Sequence, residues 1–269
     1  MSKTMIRALM VAAVLAAGLV SARAGEGGDK ACASGQKAVS TGGHPKLLKG
    51  VAHLTDDDVR FGRKGGGVVF IDPMSGPTAP DVVKSGLVNP DLILITHPHG
   101  DHFNPAVLQE YISANPKVVL GGPAEVVQLA AAKGIAGMQV VEPDRTYTIA
   151  GFEFRTMPAY FEKKEGGHPR DHNWVGYVLP LNGVRYYVTG DTQPFPEMAE
   201  AKADVIFPLL YGCGGNSKQA LKMAAISGAR MVVPVHTSNQ VATIKKYIAS
   251  LPEGVESAYY VGGKLTQER

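Results

Sequence analysis

Three histidines and one aspartate fall within six residues of the run Thr96-His97-Pro98-His99-Gly100-Asp101-His102. Imidazole nitrogen combined with carboxylate oxygen suits Zn, Mn or Fe. In an extended loop, residues two apart point the same way. His97 and His99 can therefore grip one cation while Asp101 and His102 face a second. A metal held this way can acidify a water and polarise a substrate oxygen, which is hydrolytic chemistry. Other donors recur downstream: Asp191 in Gly190-Asp191-Thr192, His236 at the end of Val233-Pro234-Val235-His236, and the pair His168 and His172. Either of that pair can serve as a third imidazole. His44 and His53 read as structural or solvated, and Asp56-Asp57-Asp58 as an exposed turn. The chain has neither a Gly-x-Ser-x-Gly elbow nor a phosphate-binding Gly-x-x-x-x-Gly-Lys-Ser/Thr loop, which disfavours serine hydrolases and nucleotide binding.

Strands and helices must position these donors. Leu92–Thr96 is a short apolar run of the kind buried on both faces of a sheet, and it delivers the histidine cluster at its end. Asn104-Pro105 is an N-cap followed by proline at the first helical position, which predicts a helix over Pro105–Ser113. Val68–Ile71, Lys117–Leu120, Gln139–Val141, Tyr147–Ile149 and Phe152–Thr156 read as strands, with a helix over Pro123–Ala132. Trp174–Leu181 and Val184–Thr189 form a hairpin around Asn182-Gly183, a strong turn signal. Strands at Asp204–Leu209 and Met231–Val235, helices at Ser217–Ile226 and Gln240–Ser250, and a last strand at Glu256–Val261 complete the chain. Interspersed strands and helices predict sheets covered by helices, an α/β fold.

The H-x-H-x-D-H run after a strand resembles the hallmark of the metallo-β-lactamase fold superfamily. Gly190-Asp191-Thr192 is similar to that family's Gly-Asp-Thr, and Val233–His236 to the strand that ends in its last histidine. Gly167-His168-Pro169-Arg170, followed by Trp174-Val175-Gly176-Tyr177, resembles one branch of small metal-dependent hydrolases, the ascorbate-6-phosphate lactonase-like proteins. The resemblance spans about Gly50 to Val261. It implies an αββα four-layer sandwich with the metal site at the edge between two sheets. It implies that His97, His99 and His168 hold one divalent ion, that Asp101, His102 and His236 hold another, and that Asp191 bridges them. Five imidazoles and two carboxylates would leave each ion open positions, as catalysis requires. The implied ions are zinc, with manganese or iron as alternatives. A hydroxide on them would cleave a small ester, lactone or phosphodiester, with Asp101 and Asp191 as catalytic carboxylates. Asp72 and His172 would stand behind the ligands, and Tyr160, Trp174 and Tyr211 would line the pocket. The same fold also hosts mononuclear iron dioxygenases and β-lactam hydrolysis, which remain alternatives.

Composition narrows partners and location. Met1–Arg7 carries Lys3 and Arg7, Ala8–Val20 is apolar or small, and Ala22-Arg23-Ala24 is an A-x-A site. This is the pattern of a secretory signal peptide over residues 1–24, with an apolar core too short for a comfortable membrane span. Residues 25–45 then form a flexible leader, and residues 46–269 the hydrolase domain. The full chain has 27 basic and 24 acidic residues, and three of the basic ones lie in the first 24 positions. The mature chain would be neutral, periplasmic or secreted, without stable membrane insertion. Neutrality disfavours nucleic acid, which needs a basic patch, and favours a small-molecule substrate. The two cysteines, Cys32 and Cys213, would be able to pair after export. Oligomeric state is not legible from these features.

Overall fold

The computed structural model describes residues 46–162, 167–238 and 240–267. The proposed export segment, the leader, His44 and Cys32 lie outside them. Side chains alternate between the two faces of a strand, and in this chain both faces are apolar. Nearly every central strand must therefore be covered on two sides.

Two sheets result. The first contains β1 (Val51–His53), β2 (Val59–Gly62), β3 (Val68–Ile71), β4 (Leu92–Leu94), β5 (Val119–Gly122) and β6 (Gln139–Val140), adjacent in that order. β1 to β3 form an antiparallel meander, and β3 to β6 run parallel. The parallel crossovers carry α1 (Pro80–Ser85), α2 (Pro105–Ala114) and α3 (Ala124–Ala132). The second sheet begins with the antiparallel strands β7 (Thr146–Ile149), β8 (Phe152–Pro158), β9 (Val175–Leu181) and β10 (Val184–Val188). It continues through parallel β11 (Val205–Phe207), β12 (Met231–Val232) and β13 (Glu256–Val261), and closes with antiparallel β14 (Lys264–Gln267). α4 (Ser217–Ser227) and α5 (Val241–Ala249) connect its parallel strands.

Alternation sorts the core into three apolar layers. Val69, Ile71, Leu92 and Leu94 of the first sheet meet Tyr177, Leu179, Tyr186 and Val188 of the second. On the outer face of the first sheet, Phe70 and Ile93 pack with Leu108 and Tyr111 of α2 and Val126 of α3. On the outer face of the second, Val178, Tyr187, Ile206 and Val232 pack with Met223 of α4 and Ile244 and Tyr247 of α5. This is the αββα sandwich. No helix among the described residues is long and apolar enough to cross a membrane.

Local signals explain most boundaries. Asn104 Oδ1 accepts from the backbone N–H groups of Ala106 and Val107, which starts α2 where the cap predicts. Asn182 and Gly183 both adopt positive φ, 56° and 80°, as a two-residue hairpin turn of the mirror type requires. Two expectations need correction. Glu256–Val261 is not the last strand: Gly262 and Gly263 take φ of 55° and 71° and fold Lys264–Gln267 back onto it. That polar segment carries little strand signal of its own, and pairing supplies what its composition lacks. Nor is Asp56–Asp58 an exposed turn, because Asp57 and Asp58 are buried. Asp58 is held by Arg60, and Asp56 accepts from the backbone N–H groups of Thr237 and Ser238.

Close approach of β9 to β10 depends on Gly176. A Cβ there would meet the carbonyl oxygens of Thr189 at 2.5 Å and Val188 at 2.7 Å. Backbone cannot retreat as a flexible side chain can. Gly176→Ala should therefore lower the unfolding free energy by about 1–3 kcal/mol, read as a shifted urea midpoint.

Candidate metal centre

The donors gather where strands of both sheets end. β4 releases the loop Ile95–His102, whose turn is closed by His102 and Phe103 N–H groups donating to the carbonyl of His99, at 3.0 and 2.8 Å. Two bonds tie this loop to the second sheet: Tyr177 Oη donates to Ile95 O at 2.7 Å, and Val175 N donates to Thr96 O at 3.2 Å. Asp191 follows β10, His168 precedes β9, and His236 follows β12. His236 sits at φ 53°, an uncommon conformation for a residue with a side chain. Its N–H donates to the carbonyl of Asp56 at 2.9 Å, which clips this turn to the β1–β2 loop.

Asp191 is the hub. Its Oδ1 lies 3.4 Å from Nε2 of His102, and its Oδ2 lies 3.8, 3.7 and 3.7 Å from Nε2 of His97, His168 and His236. Four ring nitrogens thus surround one buried carboxylate, with space between them. His97, His99, His168 and Asp191 form one donor group, and Asp57, Asp101, His102 and His236 form another. In each group the donor atoms lie within 4.8 Å of one another.

Buried polar groups normally find hydrogen-bond partners. Here Nε2 of His97 and His102, both ring nitrogens of His168, and Oδ2 of Asp57 and Asp191 have none. A cation between them satisfies donors that the protein leaves unpaired, so the residues fit divalent metal. Burial, reinforced by the neighbouring imidazoles, holds His97 well below the usual histidine range and brings His168 down to about 4. Both rings are therefore neutral, the form that ligates. Burial also works against charge on His236, but its hydrogen bond to Asp101 and the adjacent Cys213 outweigh it and raise it to about 11. Metal binding at His236 must displace that proton.

Supporting residues fix the rings. Asp72 adopts φ 49°, and its carboxylate accepts from Thr96 N at 2.8 Å, from Thr96 Oγ1 at 2.6 Å and from His102 Nδ1 at 2.9 Å. That leaves His102 Nε2 facing the hub. Asp72→Asn should weaken metal binding about 10- to 100-fold, measured by chelator competition, because the amide no longer orients that ring. Gly212, at φ 84°, lies against His236; a Cβ would stand 2.8 Å from its Cε1. The same loop brings the Cys213 thiol within 4.8 Å of donor atoms of Asp191 and His236. Cys213 is thus a half-buried thiol at the centre, and its pairing with Cys32 lies outside the described residues.

The remaining candidates separate. His168 is fully buried beside His97 and His99, at ring distances of 4.8 and 4.5 Å. His172 turns away, and its Nδ1 meets Glu125 at 3.0 Å. Trp174 walls the first donor group, with ring centroids 5.2 Å from both His97 and His99, and donates Nε1–H to Glu125 at 2.9 Å. Tyr160 is buried against Phe195 at 5.5 Å, under the Arg170 guanidinium, and Tyr211 is exposed in the loop before Cys213. His53 bonds the Asp56 carbonyl and packs on Tyr260, a structural role. Asp57 is the donor that sequence reasoning missed. A run of three aspartates looks like a solvated turn, and only its register with His102 and His236 shows otherwise.

A family model described as the beta-lactamase superfamily domain matches residues 68–237. The chain belongs to that superfamily. Among curated relatives, a UPF0173 metal-dependent hydrolase of Thermococcus kodakarensis is 31% identical over 186 residues, covering 64% of this chain and 78% of the relative. Among solved structures, a metallo hydrolase from Ignicoccus hospitalis matches with TM-score 0.59 at 19% identity, over 81% of this chain and 97% of its own. CmlA, a diiron β-hydroxylase from Streptomyces venezuelae, matches with TM-score 0.59 at 14% identity, over 81% of this chain and 54% of its own. At those identities the likeness establishes the superfamily fold alone. Family membership, curated relatives and the donor cluster together make this superfamily member a metal-dependent hydrolase.

Proposed function

We propose that the protein is an exported, dinuclear metal-dependent hydrolase that cleaves a small ester, lactone or phosphodiester. The observation that carries this reading is the Asp191 carboxylate, with one oxygen near His102 and the other near His97, His168 and His236. On this reading His97, His99 and His168 would hold one divalent ion and Asp101, His102 and His236 the other, with Asp191 available to either. Zinc suits this imidazole-rich set, with manganese or iron as alternatives. When bound, such ions supply Lewis acidity and a water acidic enough to attack near neutral pH.

The chain's own residues do the rest. Asp101 is half exposed, and its Oδ2 accepts from His236 Nε2 at 3.1 Å. Before metal binds, that hydrogen bond holds its pKa at about 2, which leaves an ionised carboxylate beside the ring. From the mouth of the site its carboxylate would orient the nucleophile by accepting a hydrogen bond. Trp174 and Phe161 flank His168 and keep bulk water from the first donor group. Export rests on the order of residues 1–24, basic, then apolar, then A-x-A.

The test is metal content alongside a substrate panel. We expect two divalent ions per chain, and hydrolysis of generic lactone or bis-nitrophenyl phosphate substrates that chelator abolishes and zinc or manganese restores. A single ion at saturation would overturn the dinuclear reading. An iron-coloured protein that consumes oxygen and hydrolyses none of the panel would overturn hydrolysis. For export, N-terminal sequencing of the exported protein should begin at Gly25.

A further inference from the structure

The β1–β2 loop carries a carboxylate that none of these roles uses. Asp57 is 4% exposed, and its Oδ2 has no hydrogen-bond partner. That oxygen lies 3.7 Å from His102 Nε2. A carboxylate oxygen of Asp57 also groups within 4.8 Å of donor atoms of Asp101, His102 and His236. An ionised carboxylate in the interior is strongly disfavoured unless donors or a cation face it.

Its position is no accident of a loose loop, because both neighbours are anchored. Asp58 receives two bonds of 2.7 Å from Arg60. Asp56 accepts from Thr237 N at 3.0 Å and Ser238 N at 2.8 Å, and its carbonyl accepts from His236 N at 2.9 Å. Three consecutive aspartates therefore do three different things. One clips the His236 turn, one seats a buried arginine, and the middle one points at the same space as His102 and His236.

We propose that Asp57 is a ligand of the second metal, beside His102 and His236. The assignment rests on the dinuclear reading above. It makes the two positions chemically unequal. The first has three imidazoles and the Asp191 carboxylate, whereas the second has two imidazoles and as many as three carboxylates. Oxygen-rich sites accept manganese more readily than imidazole-rich ones. The second position is then the one that exchanges zinc for manganese.

The test uses the full chain, stripped of metal and titrated with zinc and with manganese. Calorimetry should resolve two classes of site in the wild type. Asp57→Asn keeps the side chain's size and removes its charge. It should leave the first class intact and weaken the second at least about a hundredfold, with metal-free stability unchanged or raised. If two ions bind and Asp57→Asn leaves both affinities unchanged, the assignment fails while the dinuclear reading stands. If the wild type itself binds one ion, the dinuclear reading fails and takes the assignment with it. Should Asp57→Asn not fold, the zinc-loaded wild-type crystal structure decides. Asp57 directly coordinated supports the proposal, and Asp57 bonded only to a protonated His102 overturns it.

Discussion

On the proposed dinuclear reading, Asp191→Ala should reduce kcat on the order of 10³-fold or more and lower the bound metal from two ions to at most one. The size follows from the several kcal/mol of charge stabilisation that a metal pair contributes, since each 1.36 kcal/mol is about tenfold in rate. Asp191 is buried, and four ring nitrogens face its two oxygens at 3.4 to 3.8 Å. Alanine removes the one carboxylate that the proposed pair of ions would share, and four imidazoles are left facing one another. The fold should survive, because Asp191 lies beyond the end of β10, in a loop rather than in the ladder. Kinetics on the best panel substrate, metal analysis and circular dichroism together check the result. Full activity with both ions retained would refute the bridging role.

Arg60→Ala should cost about 3–5 kcal/mol of stability, the usual penalty for leaving a buried charge without its partner. Arg60 is fully buried. It donates Nε–H and Nη2–H to the two oxygens of Asp58, and also reaches the carbonyls of Leu87 and Ser75. Its guanidinium lies 4.1 Å from the Phe70 ring centroid. Lysine offers neither the planar fork nor the stacking, so Arg60→Lys should lose most of the same stability. Replacing Arg60 and Asp58 together by apolar residues should cost far less, because no orphan charge remains. Urea unfolding of the single and double variants measures the difference. A loss below about 1 kcal/mol for Arg60→Ala would put this pair in the range of an exposed surface bridge. The pair also bears on the site, since Asp58 fixes the loop that carries Asp57.

The fold was legible where the signal was local. The Asn104 cap, the Asn182-Gly183 turn and the apolar run after Pro90 each report nearest-neighbour physics, and each element formed within a few residues of expectation. Misreadings arose where partners decided. β14 exists because β13 offers an edge, and Asp57 and Asp58 are buried because Arg60 and the His236 turn close over them. A polar tetrapeptide and an aspartate run look solvated until those partners are placed. The pair His168 and His172 makes the same point. They stand four positions apart, yet one faces Asp191 and the other faces Glu125.

The sequence by itself determined which chemistry is available: dense imidazole and carboxylate donors after a buried strand, on a chain whose apolar pattern demands layers. Donor type and local spacing are properties of neighbouring residues, so they can be read directly. Convergence is not such a property. Asp57, His102, Asp191 and His236 come from four separate loops, and only the packing of two sheets face to face brings their unpaired atoms to one place. Which aspartate clips a turn and which lies unpaired beside the donor cluster depends on burial. Contacts between residues far apart in the chain set that burial, so the tertiary structure alone decided it.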